Sequence, residues 1–264
     1  MHLSKSEIRY LTSLSQKKTR QTEKKFVLEG WRSLKEALSS SFQIELVALL
    51  PAYVSDPDYQ KILSQVHERK VPIKEIGELE LKKIADTVHS QGVLALVHQK
   101  EHELNSSLLN RSSLIVAADS ISDPGNLGSI LRSADWFGSD AIFLSKGCVE
   151  LYNEKVVRST VGSIFHLTIL EGIELTVALK DMKKRGFRVV AASADGKQAY
   201  WDVPFEKKNI LVFGNEAHGV TKEIRDSADV VVKIPRFGRA ESLNVGVACG
   251  ILLAHMRSHH QPID

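Results

Sequence analysis

The 264 residues are 43% hydrophobic and 25% charged, an ordinary globular composition and enough chain for one large domain or two modest ones. No apolar run approaches the roughly 18 residues that span a bilayer, and MHLSKSEIRYLTSLSQKKTR at the N-terminus has no signal-peptide core, so a cytoplasmic protein with no membrane partner is expected. A net charge of +3 permits nucleic-acid binding without establishing it, and Cys148 and Cys249 lie far from any CxxC or Cys/His cluster, so two buried free thiols and no metal site are expected.

Residues 1 to about 20 read as a short helix followed by a basic connector. The run KKTRQTEKK is either a solvated arm or a contact for phosphates through Lys17, Lys18, Arg20, Lys24 and Lys25. From there to about Gln99 strands and helices alternate. FVLEG, IELVALL, VPIKEI and GVLALVH read as strands, and WRSLKEALSS, YQKILSQVHERK and LELKKIAD as amphipathic helices between them. That is a compact α/β unit with its own core. The polar stretch QKEHELNSSLLNRSS reads as a linker. The organisation expected is therefore an N-terminal arm and α/β domain over 1–99, a linker over 100–112, and a C-terminal domain over 113–264.

Beyond Ser113 the strands turn apolar: LIVAA, AIFLS, HLTIL, RVVAAS, ILVFG and VVVKI. Helical stretches separate them, NLGSILRSADWFG, NEKVVRSTVG, ELTVALKDMKKRG and KEIRDSA. Near-continuous apolar strands alternating with helices predict a parallel sheet covered on both faces. Such sheets bind ligands outside the carboxyl ends of their strands, and three strand-to-loop junctions here are rich in polar residues. The first carries Asn126 and Arg132, the second Glu216 behind Phe213, Gly214 and Asn215, and the third Ser242 and Asn244. Ser242 occupies a position that suits an N-cap of the last helix. Taken alone, Arg132 would more often be a surface salt-bridge residue, and Glu216 a carboxylate favouring a helix dipole. GxGxxG after a strand and GxxxxGK[ST] are both missing, so neither a dinucleotide fold nor a P-loop is supported.

DPGNLGSILRSADWFG, LVFGNEAHGV and IPRFGRAESLNVGVACGI together resemble the three motifs of the SpoU/TrmH family of RNA 2′-O-ribose methyltransferases, within the SPOUT superfamily, in order and in approximate spacing. The resemblance implies a C-terminal SPOUT domain with a trefoil knot, which ordinary topology rules would disfavour. It implies that the preceding α/β domain is a small ribosomal-protein-like module that selects the RNA. S-adenosyl-L-methionine is the implied cofactor, held by Gly214, Ile234 and Leu243 with their neighbours Phe213 and Asn215, mainly through the main chain.

Arg132 becomes the central catalytic residue by the same resemblance, with Asn126, Glu216, Ser242 and Asn244 around it. An arginine stays protonated, so its expected role is to hold a phosphate and stabilise the developing alkoxide rather than to act as a base. Asn126 would orient the hydroxyl or Arg132, and Glu216 would fix Arg132 or the nucleotide. IPRFGRAESLNV departs from the family's pattern at Arg236 and Phe237; Arg236 and Arg239 are further candidate phosphate contacts, whereas His218 reads as a surface-loop histidine. A homodimer through the C-terminal domains is implied, and ribosomal RNA is expected ahead of transfer RNA. The rival reading is a non-catalytic RNA-binding or ribosome-assembly protein that keeps the fold.

Overall fold

A computed structural model describes residues 1–85, 90–103 and 106–258. The chain forms two compact units, Met1–Lys100 with Glu150–His166, and Glu101–Val149 with Leu167–Asp264. Asp86 at the end of the third expected helix, and Leu104 and Asn105 in the expected linker, lie outside the described residues.

The first unit contains helices α1 (Lys5–Ser13) and α2 (Lys17–Glu23), strand β1 (Lys25–Glu29), helix α3 (Trp31–Ser39), strand β2 (Ile44–Leu49), helix α4 (Gln60–Glu68), strand β3 (Ile73–Glu75), helix α5 (Glu78–Ile84) and strand β4 (Val93–His98). The sheet order is β1-β4-β2-β3, antiparallel at both flanks of β4 and parallel between β2 and β3. Side chains alternate across a strand, so Leu46, Ala48, Leu94 and Leu96 face one way and form a core with Leu11 of α1, Leu14 at its C-cap, and Leu81 and Ile84 of α5.

Later in the chain come helix α6 (Ser106–Arg111), strand β5 (Leu114–Asp119), helix α7 (Pro124–Trp136), strand β6 (Ala141–Ser145), helix α8 (Glu154–Thr160), strand β7 (Ile169–Ile173) and helix α9 (Leu175–Lys184). They are followed by strands β8 (Arg188–Ala192), β9 (Gln198–Ala199) and β10 (Asn209–Gly214), helix α10 (Lys222–Ser227), strand β11 (Val230–Lys233) and helix α11 (Val245–Arg257). The second unit's seven strands run parallel in the order β7-β6-β5-β10-β8-β11-β9. One face is covered by α9 and α10, whose Leu175, Leu179, Met182 and Ile224 pack with Ile115, Phe143, Val189 and Val212. On α7 and α11 the buried side chains include Leu127, Ile130, Leu131, Cys249, Leu252 and Leu253.

The structure departs from the sequence-based expectation at five places. The strand expected at HLTIL begins three residues later, because the chain leaves the 3₁₀ turn over Ser163–Phe165 through a cap at His166 and a bend at Leu167 before it extends. Strand β9 was too short to leave a pattern. The expected linker contains α6, whose Leu109 is 2% exposed and belongs to the second unit's core. Helix α8 belongs not with the sheet that precedes and follows it but with the first unit, where Tyr152 stacks on Phe26 and Phe165 meets Phe42 edge-on. Of the two free thiols, Cys249 is buried as expected, whereas Cys148 is only partly buried and donates to the Ala118 carbonyl.

Candidate active site

The polar residues gather at the carboxyl edge of the parallel sheet. Strand β5 ends in Asp119, 4% exposed, whose Oδ2 accepts from the Thr221 backbone N–H at 2.9 Å. The chain then turns through Ser120, held at a positive φ of 58°. Ser120 N donates to Ser145 Oγ and its carbonyl accepts from Asn215 Nδ2, both at 2.8 Å. Helix α7 opens with Asp123 as N-cap, accepting from Asn126 N at 2.8 Å, and with Pro124 in the first turn, where a missing N–H has no partner to lose.

The second junction follows β10. A Cβ at Gly214 would stand 2.0 Å from the carbonyl carbon of Gly219 and 2.1 Å from Val220 N, so the returning loop admits only glycine there. Asn215 Oδ1 closes that loop by accepting from Ala217 N at 2.9 Å and His218 N at 3.2 Å. Glu216 is thereby turned toward the start of α7. Its Oε1 accepts from Asn126 Nδ2 at 2.9 Å and Asp123 N at 3.2 Å, and its Oε2 from Ser122 Oγ at 3.1 Å and Ser122 N at 3.3 Å. Partial burial works to raise the Glu216 pKa, but the bonds from Asn126 and from the Asp123 and Ser122 backbone outweigh it and hold the carboxyl below its ordinary value.

The third junction is the start of α11. Asn244, not Ser242, is the N-cap: its Oδ1 accepts from Gly246 N at 2.9 Å and Val247 N at 3.2 Å. Its Nδ2 donates to Asn126 Oδ1 at 2.8 Å. Glu216, Asn126 and Asn244, one from each motif, are thus a single hydrogen-bonded chain. Ser242 is exposed and makes no hydrogen bond among the described residues. Helices α7 and α11 run side by side in the same direction, which this chain requires. A Cβ on Gly246 would come within 2.8 Å of Ser129 Cβ, and at the far end Arg257 donates to the carbonyls of Phe137 and Gly138 at 2.8 and 2.7 Å.

Arg132 stands on α7, exposed, with no ion pair or hydrogen bond among the described residues. The expected bond from Glu216 to Arg132 is absent because amide and backbone donors already occupy both carboxylate oxygens. The side chain is left as a cation without an internal partner, six residues along the helix that carries Asn126.

The residues expected around the cofactor line the ends of β10 and β11. Phe213 is 1% exposed, so only its main chain is available there, and the Asn215 amide is engaged in its own turn. Ile234 is half-buried and Leu243 is 48% exposed. From Pro235 to Leu243 no main-chain group makes a main-chain hydrogen bond among the described residues, leaving donors and acceptors for a ligand. A third wall escaped the sequence reading. After β8, Ser193 N donates to the Val232 carbonyl at 2.9 Å, and a Cβ on Gly196 would lie 2.6 Å from the Val232 carbonyl carbon. The SADGK stretch therefore folds onto the end of β11. Asp119, Ser122 and Asp123 were also missed, although Asp-Pro-Gly ahead of an apolar helix is a helix-start signal that could have found Asp123.

The basic run divides. Lys17, Lys18 and Lys24 are exposed, and Lys25 pairs with Glu45 at 2.6 Å. Arg20 is 2% exposed, forks onto Glu150 at 3.1 and 2.6 Å, and donates to the carbonyls of Leu14 and Ser15. It is a structural cation of the first unit, a correction to its expected phosphate contact. Arg236 and Arg239 are exposed. Among the described residues no cluster of three or more His, Cys, Asp or Glu could hold a metal ion, and no helix is long and apolar enough to cross a membrane.

Comparison with known proteins follows this division. Residues 113–254 match the model of the SpoU rRNA Methylase family, and residues 5–95 that of the MRM3-like substrate binding domain. The chain is 30% identical over 244 residues to the 23S rRNA (guanosine(2553)-2′-O)-methyltransferase RlmP of Bacillus subtilis strain 168, covering 92% of this chain and 93% of the relative. An AdoMet-bound rRNA methyltransferase from Sinorhizobium meliloti has the same fold, with a TM-score of 0.84 at 26% identity over 99% of this chain and 98% of the other. A structure described as an RNA 2′-O ribose methyltransferase gives a TM-score of 0.84 at 29% identity over 96% and 95% of the two chains. The family match and the shared length agree with the three joined motifs: this chain belongs to the SpoU rRNA methylase family.

Proposed function

We propose that this protein is an S-adenosyl-L-methionine-dependent RNA methyltransferase that modifies a ribose 2′-hydroxyl of ribosomal RNA. The observation that carries the reading is the hydrogen-bonded chain of Glu216, Asn126 and Asn244, which draws one residue from each of three motifs to the edge of the parallel sheet, with the unpaired Arg132 six residues further along the helix that carries Asn126. Ribosomal RNA is preferred because the Bacillus subtilis relative, matched over nearly its whole length, is named for a 23S rRNA ribose.

The cofactor, when bound, supplies an electrophilic methyl group on a sulfonium. The main chain of Gly214, Ile234 and Leu243 would hold it, a fit supported by the unengaged backbone groups between Pro235 and Leu243 and by the half-exposed Leu243 side chain. In-line attack by an oxygen at close range makes positioning the protein's main task. Arg132 binds the phosphate next to the target ribose and stabilises negative charge as it grows on the 2′-oxygen. That phosphate would take the hydroxyl proton, with Arg132 holding the acceptor and the 2′-oxygen together. Glu216 is unsuited to take the proton, since four donors surround its oxygens and its pKa is lowered. It serves instead to fix the Asn126 amide, and Asn244 fixes the other side of that amide.

The reading includes a substrate-selecting role for residues 1–99, supported by the match to a substrate binding domain, and a homodimer through the second unit. Trp136 at the end of α7 is 84% exposed and Val247 in the first turn of α11 is 50% exposed, apolar side chains on two packed helices that a second copy would cover. The test is transfer of labelled methyl from the cofactor to total RNA of a strain lacking the protein, followed by nucleoside mass spectrometry. A 2′-O-methyl nucleoside in one ribosomal RNA, absent with Arg132→Ala, is expected. Label on a base, or RNA binding with no cofactor affinity, would overturn the reading.

A further inference from the structure

Phe237 is the most exposed large apolar side chain among the described residues, at 91%. It sits on the loop that runs from β11 into Asn244, and Arg236, Gly238, Arg239 and Ala240 around it are exposed as well. Arg236 Nη1 donates to the Ala240 carbonyl at 3.2 Å and closes a short bracket with Phe237 and Gly238 at its tip. A Cβ built on Gly238 would meet nothing within 4 Å, so the tip stands clear of the rest of the chain. Arg239 has no ion pair or hydrogen bond among the described residues.

An aromatic ring kept in water between two cations is poor packing and good nucleic-acid chemistry. Base faces stack on aromatic rings regardless of base identity, and guanidinium groups hold the adjoining phosphates. The bracket lies seven residues before Asn244, which bonds to Asn126 in the chain that orients the site. We infer that Phe237 is a stacking finger for an unpaired base of the RNA substrate near the target nucleotide, with Arg236 and Arg239 on its backbone. The inference rests on the proposed RNA methyltransferase function and adds a positioning residue to it. A partner protein surface would suit the exposed ring but not two exposed flanking arginines that have no acid partner among the described residues, so the occupant is single-stranded RNA.

The experiment compares wild type with Phe237→Ala, Phe237→Leu and Phe237→Tyr. Three quantities are measured: kcat/KM for methyl transfer to total RNA from the deletion strain, S-adenosylmethionine affinity by calorimetry, and oligomeric state by sedimentation. Loss of a stacked base predicts a fall in kcat/KM on the order of tenfold for both Phe237→Ala and Phe237→Leu. Phe237→Tyr should stay within about twofold of wild type because its ring still stacks, with cofactor affinity and oligomeric state unchanged in all three. The inference fails if Phe237→Ala matches wild type, if Phe237→Leu does, if cofactor affinity falls in step, or if the assembly dissociates. Wild-type enzyme that methylates no RNA in the pool would sink the proposed function itself, whereas active wild type with an equally active Phe237→Ala sinks only the finger.

Discussion

The two units use their arginines in opposite ways. In the first, Arg20 sits in a stretch of basic sequence that looks free, yet it is buried and bonded to a carboxylate and two carbonyls. In the second, Arg132 sits in a helix after Ile130 and Leu131, where a sequence reader would pair it with a neighbouring acid, yet it is exposed and unpaired among the described residues. Nearby Glu216, the obvious partner, is occupied by neutral donors. A cation that a fold leaves without a partner next to an ordered polar chain is available to a ligand, and one locked under several acceptors is not. Partner geometry, rather than local charge density, separates the structural arginine from the one proposed to meet the substrate.

The sharpest way to break the comparison is to delete each arginine and read both stability and activity. Arg20→Ala leaves the Glu150 carboxylate, whose side chain is only 10% exposed, without its counter-charge, and removing one partner of a buried pair costs about 3–5 kcal/mol. A fall of that size in urea stability, followed through Trp31 with Trp136 and Trp201 replaced by Phe, is expected. Unchanged stability with weaker RNA binding would instead restore Arg20 to the phosphate contacts. Arg132→Ala should do the reverse. Loss of one group that stabilises developing charge lowers turnover by about 10²–10³, while an exposed side chain without partners changes stability by no more than about 0.5 kcal/mol. Arg132→Lys should recover little, since an ammonium lacks the forked donors that grip a phosphate.

Glu216→Gln tests whether the carboxylate orients or reacts. The amide can still accept at one oxygen but presents an NH₂ group where Ser122 donates, so Asn126 loses part of its support. A drop in kcat of roughly tenfold with an unchanged pH profile between pH 6 and 9 is expected of an orienting group. Loss of an acidic limb on the low-pH side of that range, where the carboxyl titrates, with a fall in kcat far beyond tenfold, would identify Glu216 as the proton acceptor. Its stability signature lies elsewhere. A carboxyl whose folded pKa is lowered contributes stability that is fully present above the unfolded value, near 4.5, and is lost as pH falls through the folded value. Wild type should therefore lose stability below about pH 4.5 more steeply than Glu216→Gln, and the two should run parallel above it.

Much of this was legible in the chain, and the limits have physical causes. Long apolar strands of the second unit are buried on both faces, so their sequences announced a covered parallel sheet, and the amphipathic α3 and α4 announced themselves by period. What could not be read was which segment packs with which. Helix α8 has the same apolar spacing wherever it docks, and its packing on β1, with the Tyr152–Phe26 and Phe165–Phe42 contacts on either side of it, assigns it to the first unit. The Asn126–Asn244 bond joins residues 118 apart in sequence, and no local pattern encodes such a pair. Ser242 misled for a simpler reason. Serine, asparagine and aspartate cap helices about equally well, and with Ser242 and Asn244 two positions apart the choice depends on where the loop releases the chain.

That ambiguity yields the smallest effect and the finest separation. Asn244 does two things at once: its Oδ1 caps α11, and its Nδ2 holds Asn126. Asn244→Ala removes both and should cost about 1 kcal/mol of stability for the lost cap, together with a fall in turnover. Asn244→Ser keeps an oxygen that can accept from the first-turn N–H groups, but a hydroxyl is too short to replace the amide's reach toward Asn126. It should restore stability to within a few tenths of a kcal/mol of wild type and leave kcat reduced about as far as in the alanine variant. If turnover recovered with stability, the residue would act only as a cap, and the link from the third motif to Asn126 would have no catalytic consequence. Recovery of stability alone would show that the same asparagine starts a helix with one atom and orders the site with another.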